Sequence, residues 1–216
     1  MKKRLILVAA AILCSATFFE KSVIGQTDES RRFEVGFHFT SLTLDSARTE
    51  PGLGARITYN ATRNIAVEAE FDTWPHNARS ILAPNGGRAA AVFAGVKIGK
   101  RYDRWGIFAK VRPGVVTFTQ GRVDIVPNGS GSQFPFDLLT ERSTHFALDV
   151  GGVLEFYPTK RIVTRFDAGD TNIRYGATTV DTIQGPIGGP FVIVPVRVPP
   201  QTIANFQFSA GVGFRF

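Results

Sequence analysis

From residue 33 to the C-terminus this chain alternates large apolar side chains with polar ones over segment after segment. In Phe33-Glu34-Val35-Gly36-Phe37-His38-Phe39-Thr40 every odd residue is large and apolar, and every even one is polar or glycine. Leu53, Ala55, Ile57 and Tyr59 alternate with Gly54, Arg56, Thr58 and Asn60. Ile65, Val67, Ala69 and Phe71 alternate with Ala66, Glu68, Glu70 and Asp72. A β-strand turns successive side chains to opposite faces, so a period of two is a strand signal. Residues 88–100, 105–119, 144–157, 162–175 and 203–216 read the same way. The pattern predicts an all-β fold of eight strands.

The connections alternate in length. Residues 61–64, 101–104 and 158–161 are short and polar, whereas 41–51, 75–87, 120–143 and 176–202 are long. Short turns at one end and long loops at the other describe an up-and-down antiparallel barrel. An even strand count then leaves both termini on the short-turn side.

The N-terminus reads as an export signal. Met1-Lys2-Lys3-Arg4 is basic, residues 5–13 are an uninterrupted apolar run, and Val23-Ile24-Gly25 closes on a small residue. That is the order of a cleaved secretory signal, and the run is shorter than the ~20 residues of a spanning helix. Residues 1–25 are expected to be a signal peptide and 26–216 the barrel domain. Leu13, before Cys14, is too large for a lipoprotein signal, so Cys14 is read as part of the discarded segment. The mature chain would then hold no cysteine, which excludes a small disulfide-stapled scaffold. The formal charge of +7 includes Lys2, Lys3 and Arg4, and the remaining bases are scattered. No basic stripe points to nucleic acid. Mean hydropathy is +0.03, an uninformative value for a barrel, whose membrane character lies in alternation.

Alternation does not say which face is inside. A soluble ligand-binding barrel points its apolar side chains inward, and a membrane barrel points them at lipid. The polar face carries Glu34, Glu68, Glu70, Asp72, Asp149, Glu155 and Asp167 against Arg56, Lys97, Lys110, Arg112, Arg165 and Arg215. Near-balanced charges suit a narrow lumen, where opposite signs pair. Aromatics gather near strand ends. Phe33, Tyr59, Trp105, Phe156, Tyr157, Phe214 and Phe216 lie at the short-turn end, and Phe39, Phe71, Trp74, Phe118, Phe146, Tyr175 and Phe206 toward the long loops. Two girdles at bilayer interfaces are expected from that distribution. Both features favour a transmembrane β-barrel with a salt-bridged interior.

The last strand ends in phenylalanine at the terminal carboxylate, with Phe208, Val212, Phe214 and Phe216 at alternate positions. This resembles the C-terminal insertion signal of outer-membrane barrels. With the export signal, the chain is similar to the small outer-membrane β-barrel family of the OmpA/OmpX type over about residues 32–216. The resemblance implies location in the outer membrane, contact with its lipid and recognition by the barrel-assembly machinery. It carries no activity. Pro113 departs from the pattern, because a closed barrel has no edge to place it on. A bulge at Pro113-Gly114 would accommodate it; otherwise the strand breaks there and its register changes beyond Arg112.

No catalytic group and no cofactor is expected. His38, His76 and His145 fall on different segments, unlike clustered metal ligands. Ser143-Thr144-His145 is the nearest echo of the His-Ser pair of a lipid-modifying barrel enzyme, but alternation turns His145 inward, away from lipid. Asp167-Ala168-Gly169-Asp170 lacks the dense oxygen ligands of a calcium loop. Residues 120–143 fit a strand extension capped by a turn at 127–132. In the last loop the apolar run Phe191-Val192-Ile193-Val194 continues to Val198 between glycine- and proline-rich stretches. It is a candidate partner contact, a cover for the barrel mouth, an added rim strand, or one arm of a hairpin with residues 176–183 that buries its own apolar face. An eight-stranded barrel is only just wide enough for its own side chains. The expected function is therefore non-enzymatic: a structural or surface-interaction protein acting through its long loops. A narrow ion or small-solute channel is the alternative, ahead of a soluble ligand carrier or a lipid-modifying enzyme.

Overall fold

The structure is a computed structural model that describes residues 32–44, 48–78, 86–127, 136–184 and 192–216. The expected signal peptide, residues 1–25, lies outside the described residues. Every element is a strand: β1 (Phe33–Leu44), β2 (Arg48–Asn60), β3 (Ile65–Ala78), β4 (Gly86–Arg101), β5 (Trp105–Pro127), β6 (Phe136–Phe156), β7 (Ile162–Tyr175), β8 (Thr178–Gln184), β9 (Val192–Val198) and β10 (Gln201–Arg215). Eight of them close an antiparallel barrel in the order β1-β10-β7-β6-β5-β4-β3-β2, and β8 and β9 form a separate two-stranded sheet.

Closure joins the first strand to the last, with Glu34 opposite Arg215 and Val35 opposite Phe214. Phe33 and Phe216 exchange backbone hydrogen bonds of 3.1 and 2.9 Å at the seam. Closing the ladder removes the exposed edges that an open sheet would present. Two short turns share one device. The Thr62 hydroxyl accepts from the Asn64 and Ile65 amides at 3.1 and 3.0 Å. The Thr159 hydroxyl accepts from the Arg161 and Ile162 amides at 3.2 and 3.1 Å. A side chain that satisfies two turn amides holds the chain reversal without lengthening it.

The tertiary structure decides the question of faces. Phe37, Phe39, Leu53, Ile57, Val67 and Val92 are exposed on the outside of the barrel, while Glu34, Arg56, Glu68, Glu70, Lys97 and Arg112 are buried within it. This is the inside-out arrangement of a transmembrane β-barrel, in which lipid rather than a core covers the apolar face. A soluble carrier would show the reverse.

Strand pairing decides four of the sequence expectations. First, much of the expected loop 41–51 is strand: Thr43 pairs with Thr49, and their hydroxyls are 2.9 Å apart. Second, the strand extension expected within residues 120–143 is present: β5 and β6 run to 23 and 21 residues and pair out to Pro127 and Phe136. Third, there is no bulge at Pro113. It pairs with Leu148 in unbroken register, and β4–β5 keeps the same register from Phe93–Gly114 to Val96–Val111. Between those two pairs Ala94 and Gly95 have no ladder partner on β5. Glycine keeps the strands close there: a Cβ on Gly95 would lie 2.2 Å from the Val111 carbonyl oxygen. Register shifts fall elsewhere: between Trp74 and Ala78, between Gly86 and Ala89, and between Phe118 and Arg122. Fourth, of the alternatives for the apolar run in the last loop, the hairpin forms with residues 178–184, and no strand is added to the barrel rim. β9 pairs with β8, Val180 opposite Val196, and Val192 and Val196 remain exposed. Phe191 lies outside the described residues.

Candidate functional site: the filled lumen and the long-loop end

Each strand of the barrel sends polar side chains inward at alternate positions, and the bore brings them together. In the half nearer the short turns they form one network. Arg112 on β5 donates to both Glu70 oxygens at 2.5 and 2.8 Å, and its Nε donates to Asp149 at 2.7 Å. Arg165 grips Asp167 at 2.8 and 2.7 Å and also donates to both Glu68 oxygens. Lys97 lies 3.2 Å from Glu68 and donates to Glu155, and Lys110 lies 3.0 Å from Asp149 and 3.5 Å from Asp167. Arg56 sits 3.7 Å from Glu34, 3.8 Å from Glu70 and 3.9 Å from Asp167. Arg215, at the rim, is 3.1 Å from Glu34. Asp72 bonds His38 at 2.7 Å and accepts from the Gln207 amide at 3.0 Å. A buried charge is tolerated when opposite charges and hydrogen bonds replace its water, and here several partners surround each.

The sequence reading placed Arg101 and Tyr157 outside this network. Arg101, at an inward position of β4, donates to Asn60 at 2.8 Å and to the Tyr157 hydroxyl at 3.0 Å, and lies 3.6 Å from Glu155. Tyr157 in turn donates to Glu155 at 2.7 Å. Tyr157 therefore caps the bore rather than joining a lipid-facing girdle. With Arg101 the basic side chains of the lumen match the acidic ones in number.

The half nearer the long loops is filled differently. Leu42, Leu44, Trp74, Phe93, Val116, Phe118, Ile173 and Tyr175 pack into one buried apolar cluster. Trp74, Phe118 and Tyr175 were expected in the outer girdle, and the structure places them inside. Their parity explains it: Trp74 follows Glu70 and Asp72 on the inward face of β3, as Phe118 follows Arg112 on β5 and Tyr175 follows Asp167 on β7. Phe39, Phe71, Phe146 and Phe206 do stay exposed on the outside. At the short-turn end Phe33, Trp105, Phe156, Phe214 and Phe216 are exposed. The bore is thus sealed twice, by ion pairs below and by packed rings above.

The remaining candidates have these positions. The ligand atoms of His38, Glu70 and Asp72 lie within 4.8 Å of one another, a grouping not seen in the sequence because it joins β1 to β3. Arg112 already occupies both Glu70 oxygens, and His38 and Gln207 occupy Asp72. The donor set is therefore spent on protein partners. Gly54 makes room for the pair, since a Cβ there would lie 2.1 Å from Asp72 Oδ1. His76 bonds Glu50 at 2.8 Å at the opposite end of β3. His145 bonds the Ser143 hydroxyl at 2.9 Å and packs on Tyr175 with ring centroids 4.7 Å apart. The pair faces the barrel mouth and not the lipid side. Asp167 points into the lumen and Asp170 out of it, so the two cannot share an ion. Phe208, Val212, Phe214 and Phe216 line the outer face at the closing strand, where Val212 stands opposite Phe37 and Phe214 opposite Val35.

Fold and lumen together define the architecture of a small transmembrane β-barrel. No protein-family model matches the chain. No curated protein matches it in sequence. Among solved structures it is similar to the N-terminal β-barrel domain of Pseudomonas aeruginosa OprF, with 11% identity, 87% of this chain and 100% of that one covered, and a TM-score of 0.44. It is similar to Neisserial surface protein A at 12% identity, covering 86% and 97% of the two chains with a TM-score of 0.45. For Ail, the attachment invasion locus protein of Yersinia pestis, identity is 15%, coverage 86% and 97%, and the TM-score 0.41.

Proposed function

We propose that this chain is a non-enzymatic outer-membrane protein whose barrel is a closed anchor and whose long-loop end is a docking surface. The observation that carries the reading is the filled bore. Ion pairs and packed rings leave the inside of the barrel to its own side chains, so function falls to what projects from it. Two features project: the paired extension of β5 and β6, and the β8–β9 hairpin with Val192 and Val196 exposed. An extended hairpin with exposed apolar residues offers backbone and side chains to a partner. Val192, Ile193 and Val194 are the contact residues proposed on it, with Phe191 beside them in sequence.

The route to the membrane is part of the same proposal. Residues 1–25 direct export and are removed. The assembly machinery recognises Phe208, Val212, Phe214 and Phe216 on the last strand, and the loops end outside the cell. Exposed aromatics at alternate positions of β10 support that recognition.

Conductance across a planar bilayer tests the central claim. The expected result is no stable open level. A reproducible open level would overturn the closed-anchor reading in favour of a narrow channel. Gel mobility before and after boiling tests the membrane class, since a folded membrane barrel shifts on heating and a soluble carrier does not.

A further inference from the structure

The outer face of β3–β6 changes character in three successive rows near the long loops. The first row is apolar: Phe71, Val92, Val115 and Phe146 stand opposite one another across four strands, all exposed. Two residues further along each strand, Thr73, Ala90, Thr117 and Thr144 form the second row. The Thr117 and Thr144 hydroxyls are 3.0 Å apart. Beyond that come Arg88 on β4, Thr119 on β5 and Arg142 on β6, all exposed. The Thr119 hydroxyl accepts from the Arg88 backbone amide at 2.8 Å, which ties β4 to β5 at this level. Rows two residues apart are separated by about 7 Å along the strands.

Small side chains in the second row leave a recess of about 360 Å³, lined by Thr73, Ala89, Ala90, Thr117 and Thr119 together with Arg88 and Arg142. No acidic side chain lines it among the described residues. Neither guanidinium has a hydrogen bond or ion pair among the described residues. The contrast with the lumen is sharp, where every arginine is matched by carboxylates. Two unmatched guanidiniums over hydroxyls, above an apolar band, order their chemistry as a phospholipid does: acyl chain, polar linkage, phosphate. Guanidinium is the side chain best shaped to hold a phosphate through paired hydrogen bonds.

We propose that this recess binds the phosphate of an anionic lipid in the leaflet facing the long loops, with Arg88 and Arg142 as the phosphate contacts and Thr117, Thr119 and Thr144 beneath them at the headgroup. The apolar row of Phe71, Val92, Val115 and Phe146 takes the acyl chains. The site fixes the depth of the barrel and one lipid beside it. It rests on the membrane reading above.

The full chain, folded into phosphatidylcholine vesicles, would be supplied with lipid A or with the same lipid lacking its phosphates. Lipid retained after extraction in neutral detergent would be read by native mass spectrometry. The expected result is retention of phosphorylated lipid A at least about tenfold tighter than the dephosphorylated form, the scale of losing charge-assisted contacts. Arg88→Gln with Arg142→Gln should abolish that preference. Arg63→Gln with Arg104→Gln, which removes equal charge at the short-turn end, should keep it. Equal retention of both lipids, or an unchanged double variant, would overturn the site. So would full displacement of lipid A by excess inorganic phosphate at matched ionic strength, which would mark a free-phosphate site. A chain that fails to float with phosphatidylcholine vesicles sinks the membrane reading, whereas one that floats without phosphate preference sinks only this site.

Discussion

Arg112 on β5 reaches past β4 to lie flat against Glu70 on β3, its two terminal nitrogens 2.5 and 2.8 Å from the two carboxylate oxygens. The pair bridges strands that are not neighbours in the ladder. It therefore ties the wall of the barrel across its bore, which backbone pairing cannot do.

Removing that tie should be expensive. Arg112→Met leaves Glu70 and Asp149 buried with their main partner gone, and breaking a buried pair in this way costs about 3–5 kcal/mol. Urea unfolding from lipid vesicles measures it. Adding Glu70→Gln to Arg112→Met should recover part of the loss, because one uncompensated charge disappears. A double variant less stable than the single would contradict the pairing.

Trp74 is the largest side chain of the apolar seal and is fully buried. Trp74→Ala should destabilise the barrel by about 3–5 kcal/mol through the cavity it leaves. It should still not conduct, because the ion-paired layer below it is untouched. Bilayer recording of the variant, run beside the unfolding measurement, checks both statements.

Tyr157 supplies a pH signature. Burial, with the Glu155 carboxylate beside it, pushes its phenol above the ordinary range. The folded-state value thus exceeds the unfolded one, so the contribution is complete below about pH 10 and is lost as pH rises through the folded-state value. The stability difference between the wild-type chain and Tyr157→Phe should be constant at neutral pH and should shift against the wild type above about pH 10. Unfolding curves for both chains on either side of that pH decide it.

The β8–β9 hairpin forms its own sheet, while β7 and β10 pair directly at Tyr175–Gln201. Replacing residues 177–200 by a short glycine-containing turn should leave heat-modifiable mobility intact. The unfolding free energy should change by about 1 kcal/mol or less, the scale of loop-closure entropy. Loss of folding on deletion would mean that the hairpin braces the barrel.

Much of the architecture was legible because it depends on a period of two. The alternation around Phe37, Ile57 and Val67 marks strands and their two faces, and the short turns at 61–64 and 158–161 mark which strands are hairpin partners. The inward charges were legible by the same parity. Arg101 reads as part of the short polar turn at 101–104, although its position continues the inward series of Lys97. For Trp74, Phe118 and Tyr175 position near a strand end and parity point to different faces, because an aromatic residue there suits either a lipid interface or a lumen. The ends of β1 and β2 read as loop because Ser41, Thr43, Arg48 and Thr49 are polar and Pro51 interrupts the pattern. A polar strand is stabilised by its partner's backbone, which composition does not reveal.

The sequence by itself determined the strands, the two faces of each and the closing role of the last strand, since those follow from local backbone geometry and from the order of apolar and polar residues. Only the tertiary structure decided which face is inside, which charges meet and where the bore changes from ion pairs to packed rings. Those depend on register and closure, which bring Arg112 to Glu70 and Arg165 to Glu68 across positions far apart in the chain. The same closure sets Arg88 on β4 and Arg142 on β6 at one recess on the outside, to either side of Thr119 on β5, where each strand read alone shows one exposed arginine and nothing more.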